Sequence, residues 1–354
     1  MKPVRRNVEE EILMVTIGDV AKQAGVSKST VSNVFSKKRP ISEDVTKRVI
    51  RVAKELNYVP NHMARSLAIK KTMIIGLKMP TVKDYELSSF ETKVINGVVK
   101  KSSESGYRIL LDRIYEGDDQ TNFSRDPVDG VILLNPREDD TRIVQYRDSS
   151  MPFVLIGRPD RTDMDIKCVD NNNIEMAKEV GEYLIGNGHR EILFLNASYH
   201  MTVAEDRKAG LMQAYDNYNM PFDEENVVYY DQSTFSNASE YGYVSFLEKI
   251  KEKKYTAVIA DSDRVALGVM RAAREMEVDI PGDVSLIALS NNETLALETT
   301  PNLTSVELFP EKLGEEAAEV LINMLNKQLV PRIRTIPAKL VIRDSCQDMK
   351  HQEA

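Results

Sequence analysis

Lys28, Ser29, Ser32 and Asn33 put one cation and three short hydrogen-bonding side chains on one side of a segment whose other side carries Val31, Val34 and Phe35. Donors and acceptors of this size, presented by a helix, suit base edges in a major groove. Lys37, Lys38 and Arg39 follow at once, where cations can reach the phosphates flanking such a groove. The bland alternative is a small helical hairpin with an ordinary polar surface.

Catalytic chemistry has no comparable spacing anywhere in the chain. There is no G-x-x-x-x-G-K-[ST], G-x-S-x-G or H-E-x-x-H, and Gly186-Asn187-Gly188 lacks a third glycine and precedes its strand, as a helix C-cap would. His62, His189, His200 and His351 share no ligand spacing. Cys168 and Cys346 lie far apart and outside any Cys/His pattern, so neither a structural zinc nor a disulfide framework is indicated. The expectation is a chain without catalytic residues, metal or cofactor.

The polar face needs elements to hold it. Thr16 can cap a first helix, Gly25 supplies the left-handed residue that ends it, and Ser27 can cap a second. Ile17, Val20 and Ala21 give the first helix an i, i+3, i+4 apolar face that meets Val31, Val34 and Phe35 of the second. Ser42, followed by Glu43 and Asp44, starts a third helix with Val45, Val49, Val52, Ala53 and Leu56 along one stripe. Pro60 then breaks the third helix, and Asn61 can cap a short new one with Met63, Ala64, Leu67 and Ala68 on its apolar side and Arg65 nearby. That helix is too short to be stable alone in water, so it is expected to order only on a partner; otherwise it is a linker.

Charge separates this head from the rest of the chain. Residues 1–72 carry 15 Lys/Arg and 7 Asp/Glu, a balance of +8, whereas the remainder carries 32 against 48, or −16, within an overall −8. Such asymmetry suggests a head that meets a polyanion and a body with another task. At 354 residues the chain has room for two or three domains. No apolar run approaches the roughly 18 residues of a membrane span, and the start lacks a secretory apolar segment. A soluble, cytoplasmic protein with a disordered extension over residues 1–14 is expected.

Residues 15–72 resemble the DNA-binding headpiece of the lactose-repressor/galactose-repressor (LacI/GalR) family. The resemblance rests on the helix-turn-helix VTIGDVAKQAGVSKSTVSNV, then ISEDVTKRVIRVAKELNYVPNHMARSL with its Y-x-P-N-x-x-A-x-x-L hinge. It implies an all-α helix-turn-helix domain over 15–60, a hinge helix and linker over 61–72, and a homodimer whose heads read a pseudo-palindromic double-stranded DNA operator. Thr16, Lys28, Ser29, Thr30, Ser32, Asn33, Lys37 and Lys38 would contact DNA. So would Asn61, Ala64, Arg65 and Leu67 of paired hinge helices in the minor groove, with Leu67 inserted between base steps. Asn33 stands where the family usually has arginine, a departure that bears on which bases are read.

Beyond residue 73, short apolar runs alternate with amphipathic stretches, as in parallel βαβ units. Strands are expected at 73–79, 107–111, 130–134, 153–156, 191–195, 227–230, 257–260, 284–288 and 303–306, with any helix between Asp112 and Pro127 reduced to a turn or two. Segments such as PVDGVILL, EDRKAGLMQAY and AVIADSDRVALGVMRA resemble the same family's periplasmic-binding-protein-like α/β body over 73–354. This implies two doubly wound parallel-sheet lobes, about 73–169 with 302–330 and about 170–301 with 331–345, the chain crossing near Asp170, Pro301 and Pro331.

A small effector, a sugar by the resemblance, would lie between the lobes, where strands end. Arg207 matches the family arginine that holds effector hydroxyls; its planar fork suits vicinal hydroxyls or a carboxylate. The plain alternative is a surface pairing with Glu205 or Asp206. Asp263 matches an acidic position that binds effector or caps its helix, with Asp261 and Ser262 sharing that ambiguity. Ser290, where the family often has aspartate, and Asn291 would offer uncharged acceptors. Arg158 could reach the cleft or form a salt bridge at its rim. The resemblance thus implies a repressor of carbohydrate-utilisation genes. Two other readings remain: a family member controlled by a phosphorylated partner protein, and a nucleotide-using α/β enzyme.

Overall fold

Thr16 opens the first helix, α1 (Ile17–Ala24), through its neighbour Asp19, whose carboxylate accepts from the Thr16 N–H at 2.9 Å and from its hydroxyl at 2.7 Å. The structure is a computed structural model and describes residues 15–36, 39–58, 71–80, 87–114, 127–137, 140–159 and 165–351. Gly25 ends α1 with φ 65° and ψ 39°, where a side chain would be strained, and its N–H returns to the Ala21 and Lys22 carbonyls. Ser27 caps α2 (Lys28–Ser36) by accepting from the Thr30 N–H at 3.1 Å. Ser42 precedes α3 (Glu43–Glu55) but makes no side-chain cap, contrary to the sequence reading; only its carbonyl takes part, accepting from Thr46. Val20, Ala21, Ala24, Val31, Val34, Val49, Val52 and Ala53 form the buried core, with Phe35 packed on Tyr58.

The chain divides into this unit, residues 1–72, and a second one, residues 73–354. In order, the second contains β1 (Ile74–Pro80), α4 (Ser89–Glu104), β2 (Arg108–Ile114), β3 (Gly130–Leu134), α5 (Thr141–Asp148), β4 (Phe153–Ile156) and β5 (Cys168–Asn171). Then follow α6 (Asn173–Gly186), β6 (Ile192–Asn196), α7 (Thr202–Asn217), β7 (Val227–Tyr229), α8 (Ala238–Glu252), β8 (Ala257–Ala260), α9 (Asp263–Glu275) and β9 (Ser285–Ala288). The last are α10 (Glu293–Glu298), β10 (Thr304–Glu307), α11 (Pro310–Leu325), β11 (Ile333–Ile336) and β12 (Lys339–Val341).

Among the described residues these strands make two six-stranded sheets, ordered β2-β1-β3-β4-β5-β11 and β7-β6-β8-β9-β10-β12. All neighbours are parallel except β12, which runs antiparallel to β10. The central strands β3, β4, β6, β8 and β9 are buried throughout, which is why they read as unbroken apolar runs. In each sheet the order reverses beside the first strand of its set. The crevices for ligands therefore lie between β1 and β3 in one lobe and between β6 and β8 in the other, at the carboxyl ends.

Two expectations are corrected. The chain crosses between sheets after β5, after β10 and after β11, so residues 304–307 belong to the second lobe and 333–336 to the first, later than crossings at Pro301 and Pro331 would give. Pairing decides this: β10 lies along β9, the strand just before it, and β11 lies along β5, a partner remote in sequence. Second, β2 continues as strand through Asp112 to Ile114, in register with β1, where the chain was expected to leave the sheet; residues 115–126 lie outside the described ones.

Candidate functional site

The head presents Lys28, Ser29 and Ser32 to solvent on α2, with Thr30 and Asn33 half-buried above the core residues Val31 and Val34. Ser29 Oγ and Thr30 Oγ1 lie 2.7 Å and 2.9 Å from Ser27 Oγ, so the first turn of α2 is tied down by its own cap. The helix dipole and the exposed Lys28 at this end suit a polyanion. Lys37, Lys38, Asn61, Ala64, Arg65 and Leu67, like the extension 1–14, lie outside the described residues.

In the body, Arg207 extends from α7 to the carboxyl end of β8, where its Nη1 donates to Asp261. It is 7% exposed, and its buried Nε has no hydrogen-bond partner among the described residues. The plain alternative, a surface pairing with Glu205 or Asp206, does not occur among the described residues; the arginine is buried and paired with Asp261. Asp206 instead turns to the other lobe, accepting from Arg158 Nε at 2.5 Å. Adjacent residues on a helix point about 100° apart, so Asp206 and Arg207 cannot share a partner easily. Arg158 thus makes the interlobe salt bridge, and Thr202 Oγ1 donates to its carbonyl at 3.1 Å. Arg137 and Met201 form a strand-like bridge alongside.

Across the cleft, Ser262 is the cap of α9, accepting from Val265 N–H at 3.4 Å, which leaves the Asp263 carboxylate for other contacts. The Asp263 N–H donates to Ser290 Oγ at 3.0 Å, so these two sites are brought together. Asn291 is held by Glu307, Ser305 and Arg343, and its carbonyl accepts from Lys93 of the first lobe at 3.3 Å. Arg264 Nη2 reaches the Leu87 carbonyl at 3.5 Å. The lobes therefore meet directly on both sides, and the space between Phe90, Lys93, Asp263 and Ser290 is only about 10 Å³, less than a sugar ring needs. A larger groove of about 270 Å³ lies near Ile250–Tyr255 and Val284, at the amino ends of β8 and β9, the wrong end for a doubly wound site.

Burial raises the carboxyls of Asp261 and Asp263 above their ordinary range; Arg207 opposes the rise at Asp261, and backbone hydrogen bonds oppose it at Asp263. Burial pushes Asp170, near the carboxyl end of β5, up to about 7; Asp206 adds to the rise, while hydrogen bonds from Asn171 and Asn173 and the Arg207 charge oppose it. The sequence reading offered Arg158 a salt bridge at the rim without naming Asp206 as its partner, and marked Asp170 only as a crossing point, because no local spacing shows either environment. A carboxyl raised in the folded state holds its proton longer than in the unfolded chain, so stability falls as pH rises from 3.8 to about 7. Asp170→Asn should remove that slope, its advantage over wild type being larger at about pH 8 than at about pH 5 in urea midpoints. An advantage equal at both pH values would mean that another group titrates.

Residues 16–61 match the model of the lacI family of bacterial regulatory proteins, and residues 182–346 match the periplasmic binding protein-like domain. The HTH-type transcriptional regulator MalR of Staphylococcus xylosus is 31% identical over 341 residues, 94% of this chain and 98% of that protein. The HTH-type transcriptional repressor PurR of Vibrio parahaemolyticus is 30% identical, over 95% of this chain and all (100%) of its own. Among solved structures, a transcriptional regulator CelR–cellobiose complex matches with TM-score 0.71 and 27% identity, covering 94% of this chain and 99% of its own. The lac repressor dimer bound to operator shares the fold at TM-score 0.80 and 22% identity, over 94% and 99% of the two chains.

Proposed function

This chain is a transcriptional repressor belonging to the lacI family of bacterial regulatory proteins, and from that premise we propose that a small sugar-like effector bound between its lobes controls its affinity for DNA. The observation that carries the proposal is Arg207, buried at the crevice of the second sheet with a donor to spare. Asp263 and Ser290 supply polar groups on the same wall, beside Asn291, whose side chain is tied to Glu307, Ser305 and Arg343, and Arg158 supplies the opposite lobe. A similar protein, CelR, is described in complex with cellobiose, which favours carbohydrate-utilisation genes as the target. The chain acts as a homodimer, each α2 reading one half-site through Lys28, Ser29, Ser32 and Asn33, with Lys37, Lys38 and the residues of the hinge segment, Asn61 to Leu67, completing the grip. Among the described residues no helix is long and apolar enough to cross a membrane.

Only an effector that binds the lobes' two arrangements unequally can alter operator affinity. The test is fluorescence anisotropy of the full chain on an operator obtained by selection from randomised DNA, with and without neutral mono- and disaccharides. Operator affinity that responds to none of them would reject the sugar reading. Asn33 addresses the head separately. An arginine reads guanine by a bidentate contact worth about 1–3 kcal/mol, while asparagine pairs with adenine. Asn33→Arg should therefore shift the selected half-site toward guanine at one position; an unchanged selection would mean that this side chain does not face the bases.

A further inference from the structure

The charge around Arg207 narrows the class of effector. Asp261 already engages Nη1, and the Asp170 and Asp263 carboxylates act on this same centre. The neighbouring cations are engaged elsewhere: Arg158 with Asp206, Lys93 with the Asn291 carbonyl, Arg264 with the Leu87 carbonyl. We infer that Asp261 acts as a charge filter, so that the cleft accepts uncharged, hydroxyl-rich molecules and rejects carboxylated or phosphorylated ones. The inference rests on the reading that this cleft takes a small molecule.

Like-charge repulsion is the reason. An anion at the unpartnered Nε–H of Arg207 would leave the Asp261 contact at Nη1 in place but bring a further negative charge beside Asp261 and Asp263, two buried carboxylates close to this one guanidinium. A hydroxyl brings no charge. It accepts from the unpartnered Nε–H and donates to a carboxylate, completing both, because it is donor and acceptor at once. Asp261 thus decides between the two groups, vicinal hydroxyls and carboxylate, that an arginine fork could hold equally well.

The test is a thermal-unfolding titration of the full chain with two anionic probes, glucuronate and inorganic phosphate. Wild type should show no saturable stabilisation by either, while Asp261→Ala should bind at least one with an affinity ~10-fold or more above wild type, the scale of charge-assisted hydrogen bonds gained. Asp261→Asn, which keeps an acceptor for Nη1 without the charge, serves if the alanine variant does not fold. Arg207→Ala in either background should abolish the gain. Wild type that binds an anion as tightly as the Asp261 variants, with the binding lost in Arg207→Ala, would overturn the filter. So would Asp261 variants that bind neither anion. Failure of the proposed function shows differently, as an operator affinity indifferent to every neutral sugar.

Discussion

Gly268→Val is expected to lower the unfolding free energy of the body by about 3 kcal/mol, the upper end for overpacking, because the obstacle is backbone and cannot rotate away. A Cβ at Gly268 would stand 2.0 Å from the Ser239 carbonyl oxygen and 2.7 Å from the Tyr243 nitrogen, and Gly242 approaches Val265 in return. The α8–α9 pair therefore packs backbone to backbone. The same device joins α4 to α11, where Gly97 and Gly314 face Glu311 and Val94, and α6 to α7, where Gly210 meets Ile174. Prising α9 from α8 also moves Asp261, which precedes its cap Ser262, away from Arg207. Effector response should then weaken in the protein that remains folded. Urea midpoints measure the main effect, with Gly186→Ala as control, since its one close neighbour is the Tyr218 hydroxyl at 3.2 Å. Equal midpoints for the two variants would refute backbone-limited packing at Gly268.

These close approaches were not readable from the glycines alone, because a helix glycine looks the same whether it faces solvent or another backbone. Within its described residues the three-helix part of the head was legible, the Ser42 cap excepted. Its turn glycine and apolar stripes are local features, and Val20, Val31, Val49 and Val52 all reached the core. The buried central strands were legible for a related reason, since burial on both faces leaves an unbroken apolar run. The edge and crossover strands were not: β11 has Ile333 57% exposed beside Arg334 and Thr335, and β12 begins at an exposed lysine, so neither shows an apolar signature. Sheet membership there is decided by partners far along the chain. The candidate site divides the same way. Arg207 was visible from its flanking residues, but its partner Asp261 lies 54 residues on, and the Arg158–Asp206 bridge spans 48, so both pairs exist only once the sheets are built.

Arg207→Ala should have two separable consequences, one on folding and one on signalling. Taking the guanidinium from Asp261 leaves a carboxylate whose burial already disfavours its charge, next to Asp263. Breaking one side of a buried pair costs about 3–5 kcal/mol, and the lower figure applies because the Asp261 side chain keeps 25% of its surface in solvent. The double variant Arg207→Ala/Asp261→Ala removes the stranded charge as well and should recover about 1–3 kcal/mol of that loss, the coupling expected for residues in contact. A double variant less stable than the single one would show that the pair is not what stabilises this wall. On signalling, the variant loses a charge-assisted donor to the effector, worth about 1.5–3 kcal/mol, or ~10- to 100-fold in affinity for whichever neutral sugar alters wild-type operator binding. Arg207 lies in a different compact unit from α2, so operator affinity without sugar should stay near wild type. Calorimetry with that sugar and anisotropy with operator separate the two effects. If the sugar binds Arg207→Ala as tightly as wild type, the arginine does not hold the effector, and a partner protein becomes the better candidate for controlling this repressor.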